Sequence, residues 1–384
     1  MMTVVAAHIE EIAQELAAQF AQTAVQRDKA GGNAKFERDL IRDSGLLKLL
    51  IPTEYGGLGG DWHDVFKVIR TFARVDSSLA HVFGYHFINL VTPHLCGTEE
   101  QKEHFYRETA KHDYFWGNAF NPVDIKLTAK KTANGYLLNG IKTFCSGSAD
   151  SDLLLISATV DEQDEPLLAV IPTKRIGVDV KGDWDNMGQR QTDSGTILFD
   201  HVEVADSEVL QRGFNHSEFS KLRLNIATFV LNHLYLGITE GALETALVYT
   251  KEQTRPRSPI HTSAIEDPII QHHYGTFYVQ VEAANLVVKK ADVILQNLWD
   301  HPEKITSEDR DQLDTALQTA KIFTTQTGLD VTSRIFEVMG SRATSSRYGF
   351  DRYWRNLRTM TLHVPVDTSI QTLGRKFLNS FSGI

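Results

Sequence analysis

Seven apolar residues constrain this chain more than any other feature: Phe277, Val281, Ala284, Val288, Ala291, Leu295 and Leu298, spaced 4, 3, 4, 3, 4, 3. Only an α-helix brings residues at these intervals onto one face, and a stripe of about six turns must be buried against other helices. A coiled coil or a helix bundle satisfies that demand. Further helical patterning over 225–251, 313–338 and 367–380 puts partners within the same chain, which favours the bundle.

Upstream, the pattern changes twice. Ile9, Ile12, Leu16 and Phe20 form a helical stripe, and Phe36 to Leu50 predicts a second helix, interrupted at Gly45 and closed before Pro52. The glycine-rich stretch IPTEYGGLGG follows at 51–60, then helical patterning through VFKVIRTFARVD and SSLAHVFGYHFINLV. Near Asp113 the period shortens. FWGNAF at 115–120, the stretch 127–147, DLLLISATV, PLLAVIPTKR and GTILFDHVEV read as about six strands between residues 115 and 210. Asn-Gly pairs at 134–135 and 139–140 read as turns between them. The expected fold is mainly α with a central β domain: an N-terminal helical domain over 1–114, a middle β domain over 115–212 and a C-terminal helical bundle domain over 213–384.

Charge and composition narrow the function. The 39 basic against 49 acidic residues leave a net charge of −10, which argues against nucleic acid or an anionic membrane surface as partner. Cys96 and Cys145 are the only cysteines, too few for a disulfide scaffold or a four-cysteine zinc site. Glu10 and Glu11 interrupt the N-terminus too early for a signal-peptide core, and no apolar run approaches a membrane span, so a cytoplasmic protein is expected. His272 and His273 are adjacent and diverge on a helix, so no metal site is expected. Rossmann, P-loop, HExxH and GxSxG signatures are absent. The GGLGG stretch follows no strand and lacks the P-loop lysine; phosphate cradle and plain interhelical loop both stay open.

Four segments in order carry a resemblance to the acyl-CoA dehydrogenase superfamily over nearly the whole chain. IPTEYGGLGG is similar to the loop of that family's N-terminal domain. GYLLNGIKTFCSGSADSDLLLISA (135–158) is similar to its middle-domain stretch, usually GYxLNGxKxWITNxxxADxxxV. YTKEQTRPRSPI (249–260) is similar to the helix end YxxxRxQFGxPI, and FEVMGSRATSSRYGFDRYWRNLRTMTLH (336–363) to the terminal block. The resemblance implies a β-barrel-like middle domain, a C-terminal four-helix bundle and a homotetramer with flavins at its interfaces.

The departures from that family are informative. Many dehydrogenases place a catalytic Glu just after the Arg-Asp helix, whereas here Arg355–Asn356 lead into Leu362, His363, Val364 and Pro365, with no carboxylate before Asp367. Other members carry the Glu on an earlier bundle helix, near Glu240 or Glu244. Gln253 replaces an Arg that pairs with the FAD pyrophosphate, and a neutral amide holds a diphosphate less well. FMN, as FMNH2, is therefore the implied cofactor, with FAD the alternative. Together with YGFDRYWRNLRTMTLHVPV (348–366), these departures resemble the flavin-dependent monooxygenase branch of dibenzothiophene monooxygenase-like proteins. That branch implies a two-component system. A separate NAD(P)H-dependent flavin reductase supplies reduced flavin, O2 adds to give a C4a-(hydro)peroxyflavin, and one oxygen passes to a small heteroatom-containing, organosulfur substrate. An FAD-dependent acyl-CoA dehydrogenase and a non-enzymatic helical interaction protein are the rival readings.

By the same resemblance His363 lies beside the flavin ring, where imidazole can donate or adjust a proton near neutral pH. In related chains a second His often stands where this one has Met360. His86, in the apolar stretch LAHVFGYHFINL, is either a catalytic residue on the substrate side of the flavin or a satisfied core histidine, with Tyr85 and Asn89 as weaker neighbours. Asn118 is the candidate donor to the flavin edge, with Asn121 as its substitute. Ser146 and Ser148 in CSGSAD are candidates to contact flavin, though both are also ordinary turn residues. Arg255 is the candidate phosphate ligand, and Ser341, Arg342 and Ser345 form a second phosphate candidate contributed across a subunit interface. Arg355 and Asn356 are expected to fix the helix and the C-terminal segment.

Overall fold

All seven residues of the predicted seam are buried, along a 33-residue helix that runs Pro268–Asp300. The computed structural model describes residues 2–161, 165–256, 258 and 260–380.

The N-terminal part is helical: α1 (Met2–Ala30), α2 (Lys35–Asp43), α3 (Trp62–Ala73), α4 (Ser77–Leu90), α5 (Thr92–Cys96) and α6 (Glu99–His112). The predicted second helix divides at Gly45, beyond which Leu46–Lys48 make one 3-10 turn. Side chains cap the helices that matter most for position. Asp61 and Asp64 close a capping box on α3, and Asp76 accepts from Ser78 N and Leu79 N at the start of α4. The glycine-rich loop is no phosphate cradle. Gly57 N, Gly59 N and Gly60 N donate to Pro52 O, Ile51 O and Leu49 O, so these amides are already used.

Seven strands follow among the described residues: β1 (Trp116–Ala119), β2 (Leu127–Thr132), β3 (Gly135–Lys142), β4 (Leu153–Val160), β5 (Leu167–Pro172), β6 (Val178–Val180) and β7 (Ile197–Ala205). They form a curled sheet in the order β1-β4-β2-β3-β7-β6, with β5 on the other edge of β4. The strand missed from sequence is β6, three residues that pair only with β7 and carry no alternation long enough to read. Asn134–Gly135 is the expected β2–β3 turn. Asn139–Gly140 is not a turn: it lies inside β3, where the register with β7 shifts between Leu138 and Gly140. Gly140 takes φ +129° there, and a Cβ would meet Lys126 O at 2.0 Å, so the bulge requires glycine.

The bundle comprises α7 (Leu222–Glu252), α8 (Pro268–Asp300), α9 (Ser307–Met339), α10 (Asp351–Thr361) and α11 (Val366–Ser380). One apolar core runs from α1 through α3 and α4 into α7, α8, α9 and α10; the sheet has its own, around Leu138, Ile156 and Phe199. The N-terminal helices dock on α7 through two small residues. A Cβ on Gly237 would stand 2.8 Å from Arg70 O, and one on Gly241 would stand 2.0 Å from Arg74 O. The α3–α7 crossing is therefore set by bare backbone on α7. No helix among the described residues is long and apolar enough to cross a membrane.

Gly241→Ala is expected to destabilise the chain by about 2 kcal/mol or more, because the methyl must push backbone aside. Gly275 in α8 has nothing within 4 Å of its would-be Cβ, and Gly275→Ala is expected to stabilise by about 0.5–1 kcal/mol. Urea unfolding of both variants checks the opposite signs.

Candidate active site

A cavity of about 930 Å³ opens where helices, sheet and bundle meet. His81, Tyr85 and Ile88 of α4 wall one side; β1 and the turn after it bring Asn118, Phe120 and Asn121. Thr143, Phe144 and Ser146 come from the stretch after β3, and Trp184, Gln189, Thr192 and Ser194 from the segment before β7. Arg223, Leu224 and Leu231 of α7, with Met360 and His363 at the end of α10, complete the wall.

Helical phase decides which residues of α4 reach it. Positions 81, 85 and 88 share one face. His86 lies about 140° round the axis from His81. Its Nε2 is 2.9 Å from Leu47 O and its Nδ1 accepts from Trp116 N at 3.2 Å. Both nitrogens are thus spent on backbone, and His86 holds α4 to β1. The catalytic expectation for His86 is corrected: it is wholly buried, off the cavity wall, and burial pushes its pKa down to about 3.

His81, which sequence reasoning passed over, takes the place expected of His86. Its ring stacks on Tyr85 at 4.3 Å between centroids, and its Nε2 lies 3.0 Å from Ser146 Oγ. From Ser146 Oγ the chain continues to Ser194 Oγ at 2.8 Å, Thr192 Oγ1 at 2.7 Å and Gln189 O at 2.9 Å. The carbonyl can only accept, and each hydroxyl has one proton to donate. Every donor in the chain therefore points toward Gln189, which leaves Nε2 of His81 as the protonated nitrogen. Its Nδ1 is then an acceptor, buried and without a hydrogen bond among the described residues. Burial, reinforced by His363, pushes the His81 pKa down to about 3, so the ring stays neutral.

His363 faces the cavity from the end of α10, and the surrounding protein lowers its pKa, with Lys321 adding to the effect. Asn118 and Ser146 are joined through backbone, Asn118 N donating to Ser146 O at 3.0 Å. The Asn118 amide makes only a long 3.4 Å bond to Phe120 O, which leaves it available. Ser148 is not brought to the wall. It is buried behind Ser146 as the first residue of a 3-10 turn, and its Oγ has no partner among the described residues.

The wall segment 184–194 is held under backbone strain, with Gln189 at φ +55° and Asp193 at φ +42°. Buried Arg38 pairs with Asp193 at 2.7 Å and donates to Gly147 O at 2.7 Å. From the other side Arg355 donates to Met187 O and Asp28, and Asn356 Oδ1 accepts from Gln189 N. Arg355 and Asn356 thus tie α10 to this wall. Phe144, also left-handed at φ +58°, stands 59% exposed at the mouth with Trp184 edge-on at 6.0 Å.

The phosphate candidates gather elsewhere. Arg255, Ser341, Arg342 and Ser345 sit exposed around the C-terminal end of α7, and none lines the cavity of its own chain. Arg342 Nη2 donates to Gln253 O at 3.0 Å, and Tyr348 Oη donates to Gln253 Oε1 at 3.0 Å. Carboxylates avoid the cavity. Glu240 is clamped by Arg70 and Arg74 at the α3–α7 crossing, and Glu244 pairs with Arg74. Among the described residues the only acid on the wall is Asp185, solvent-exposed at the rim.

Comparison with known proteins agrees with this architecture. Residues 7–113, 118–202 and 229–368 match the N-terminal, middle and C-terminal domains of acyl-CoA dehydrogenase, respectively. The chain is 47% identical to a probable FMNH2-dependent monooxygenase, SfnC, of Pseudomonas putida, over 96% of this chain and 94% of that one. The structure of methanesulfinate monooxygenase MsuC from Pseudomonas fluorescens superposes with a TM-score of 0.95 at 44% identity, covering 98% of both chains. FMN-bound TdsC from Paenibacillus sp. A11-2 superposes with a TM-score of 0.93 at 40% identity, covering 97% of this chain and 98% of that one.

Three buried histidines set an acid limit on stability. Burial holds His81 and His86 at about 3 and His94 at about 4, against 6.5 unfolded. Between those values the unfolded chain binds more protons, so stability is full above pH 6.5 and lost as pH falls below it. Each fully titrating ring adds a slope of about 1.4 kcal/mol per pH unit. Urea midpoints at pH 7.5, 6 and 5 should decline steeply over the last interval; a flat profile would contradict the buried neutral rings.

Proposed function

The chain belongs to the acyl-CoA dehydrogenase family, in its flavin-dependent monooxygenase branch, and from that premise we propose how its cavity works. It is an FMNH2-dependent monooxygenase that transfers one oxygen atom of O2 to a small organosulfur substrate. One observation carries this reading. The cavity is walled by neutral histidines and a polarised hydroxyl chain, and among the described residues no buried carboxylate stands there to remove a proton alpha to a thioester. Acyl-CoA dehydrogenation lacks its base.

The site suits a flavin. At about 930 Å³ it lies toward the upper end of the range for ligand pockets of roughly 300–1,000 Å³. Asn118 offers an underused amide, Ser146 a hydroxyl, and Trp184 and Phe144 aromatic faces at the mouth. FMNH2 bound there supplies two electrons and the reaction with O2, one oxygen atom going to substrate and the other leaving as water. The residues of this chain do the rest. Asn118 and Ser146 orient the ring. Ile88, Leu224 and Leu231 keep water from the reacting atoms. His363, kept neutral by burial, can accept a proton from the cavity, and His81 holds its proton at Nε2 while keeping Nδ1 as an acceptor.

The FMN phosphate would be met by Arg255, Ser341, Arg342 and Ser345 of a neighbouring subunit, since these residues do not line their own cavity. A homotetramer is supported by Val279, Leu286 and Val293, a second apolar stripe on α8 that faces solvent in the single chain. A separate NAD(P)H-dependent reductase would supply the reduced flavin.

Under 18O2, with FMNH2 generated by such a reductase, the product should gain one 18O atom per turnover. Bleaching of bound FAD by an acyl-CoA without oxygen would instead support the dehydrogenase. His363→Ala should bind FMN within about threefold of wild type yet lose about 10²-fold or more in oxygenated product, the consumed O2 appearing as hydrogen peroxide. Product and peroxide assays read both.

A further inference from the structure

Lys142 closes β3 with a charged side chain that is only 1% exposed. Its Nζ donates to Asn121 O at 2.8 Å and to Asp124 O at 2.7 Å. Both carbonyls belong to the turn after β1, the segment that brings Phe120, Asn121, Pro122 and Val123 to the cavity wall. Burial lowers the lysine's pKa to about 8, opposed by Asp124 and Cys145 nearby, so the side chain stays largely an ammonium at neutral pH. The Asp124 carboxylate is engaged elsewhere, accepting from Lys126 N at 3.2 Å and from Thr143 Oγ1 at 3.5 Å.

A buried ammonium is costly unless its protons are used, and here they are used on one turn. That turn has little else to hold it. None of residues 121–126 is buried, and Val123 and Ile125 are 84% and 70% exposed, so burial of apolar surface contributes little to its place. Its other ties are polar. Asn121 N donates to Ser157 Oγ at 3.0 Å, and Asp124 N closes the turn on Asn121 O at 3.2 Å. Lys142 takes both ends of the turn at once. A surface segment held by a few hydrogen bonds and no core opens locally when they are removed. Opening this one would breach the wall that Asn121, Pro122 and Val123 form.

Resting on the monooxygenase reading above, we propose that Lys142 is a positioning residue of the reaction, whose ammonium clamps the turn 121–124 shut and so keeps water from reduced flavin while it reacts with O2. With the wall closed, the O–O bond breaks, one oxygen atom joins the substrate and the other leaves as water: substrate + O2 + FMNH2 → substrate–O + FMN + H2O. With the wall open, the same two electrons leave with both oxygen atoms: FMNH2 + O2 → FMN + H2O2. The O–O bond then survives and the substrate is not oxidised. Lys142 touches none of the reacting atoms; it acts through the turn.

Hydrogen exchange of the flavin-free protein, read by mass spectrometry, tests the clamp directly. Reoxidation of bound FMNH2 in aerated buffer without substrate tests its consequence. In Lys142→Met the amides of Asn121, Asp124 and Lys126 should exchange about tenfold or more faster, while those of α8 and β7 keep their wild-type rates. Oxidised FMN and hydrogen peroxide should appear about tenfold sooner than in wild type. Lys142→Arg, which keeps the charge and the donors, should recover part of both, which separates lost hydrogen bonds from lost packing. Three results would overturn the proposal: exchange over 121–126 unchanged in Lys142→Met, exchange rising equally in α8 and β7 as for a merely structural lysine, or faster local exchange with FMNH2 reoxidation unchanged. Both changes present, with no 18O transfer to any substrate in wild type, would sink the monooxygenase reading and leave the clamp standing.

Discussion

Everything at the centre of this protein depends on α4, a helix whose fourteen residues are all buried. A helix covered on every side has no water to satisfy the polar groups it carries, so each must find a partner in protein or in a ligand. His86 finds backbone on both sides and locks the helix to β1. Asn89 turns to Arg223. His81 finds Ser146 on one nitrogen and is left an unused acceptor on the other. The catalytic scaffold thus follows from polar bookkeeping within a single helix.

The electrostatic character of the cavity follows from the same burial. Desolvation removes charge from His81, and acids are held away, Glu240 between two arginines and Asp193 against Arg38. What stays charged deep in the wall is Arg223. Neutral imidazoles and aligned hydroxyls suit oxygen transfer and do not suit removal of a carbon-bound proton. The strained segment 184–194 lets Gln189, Thr192 and Ser194 close the hydroxyl chain. Its strain is opposed by Arg38 on one side and by Arg355 and Asn356 on the other.

Helices were readable because apolar spacing is a local property. The seam from Phe277 to Leu298 and the stripe from Ile9 to Phe20 are buried where periodicity put them. Strands were readable except β6, whose three residues are held by their neighbour alone. The Asn-Gly pair at 139–140 misled because a turn and a bulge demand the same residue types, and only pairing with β7 distinguishes them. Within the site, Asn118, Ser146 and His363 do reach the cavity. His86 and Ser148 do not, although each sits close in sequence to a residue that does.

By itself the sequence determined the order of helix, sheet and bundle, the four flavin-associated blocks, and the departures at Gln253 and His363 that separate this chain from a dehydrogenase. Tertiary structure decided which of two histidines on one helix meets the cavity, since about 140° of helical phase has meaning only once the neighbours are placed. It also decided that Arg223 has no carboxylate partner among the described residues, because a charge is unpaired only relative to everything packed around it.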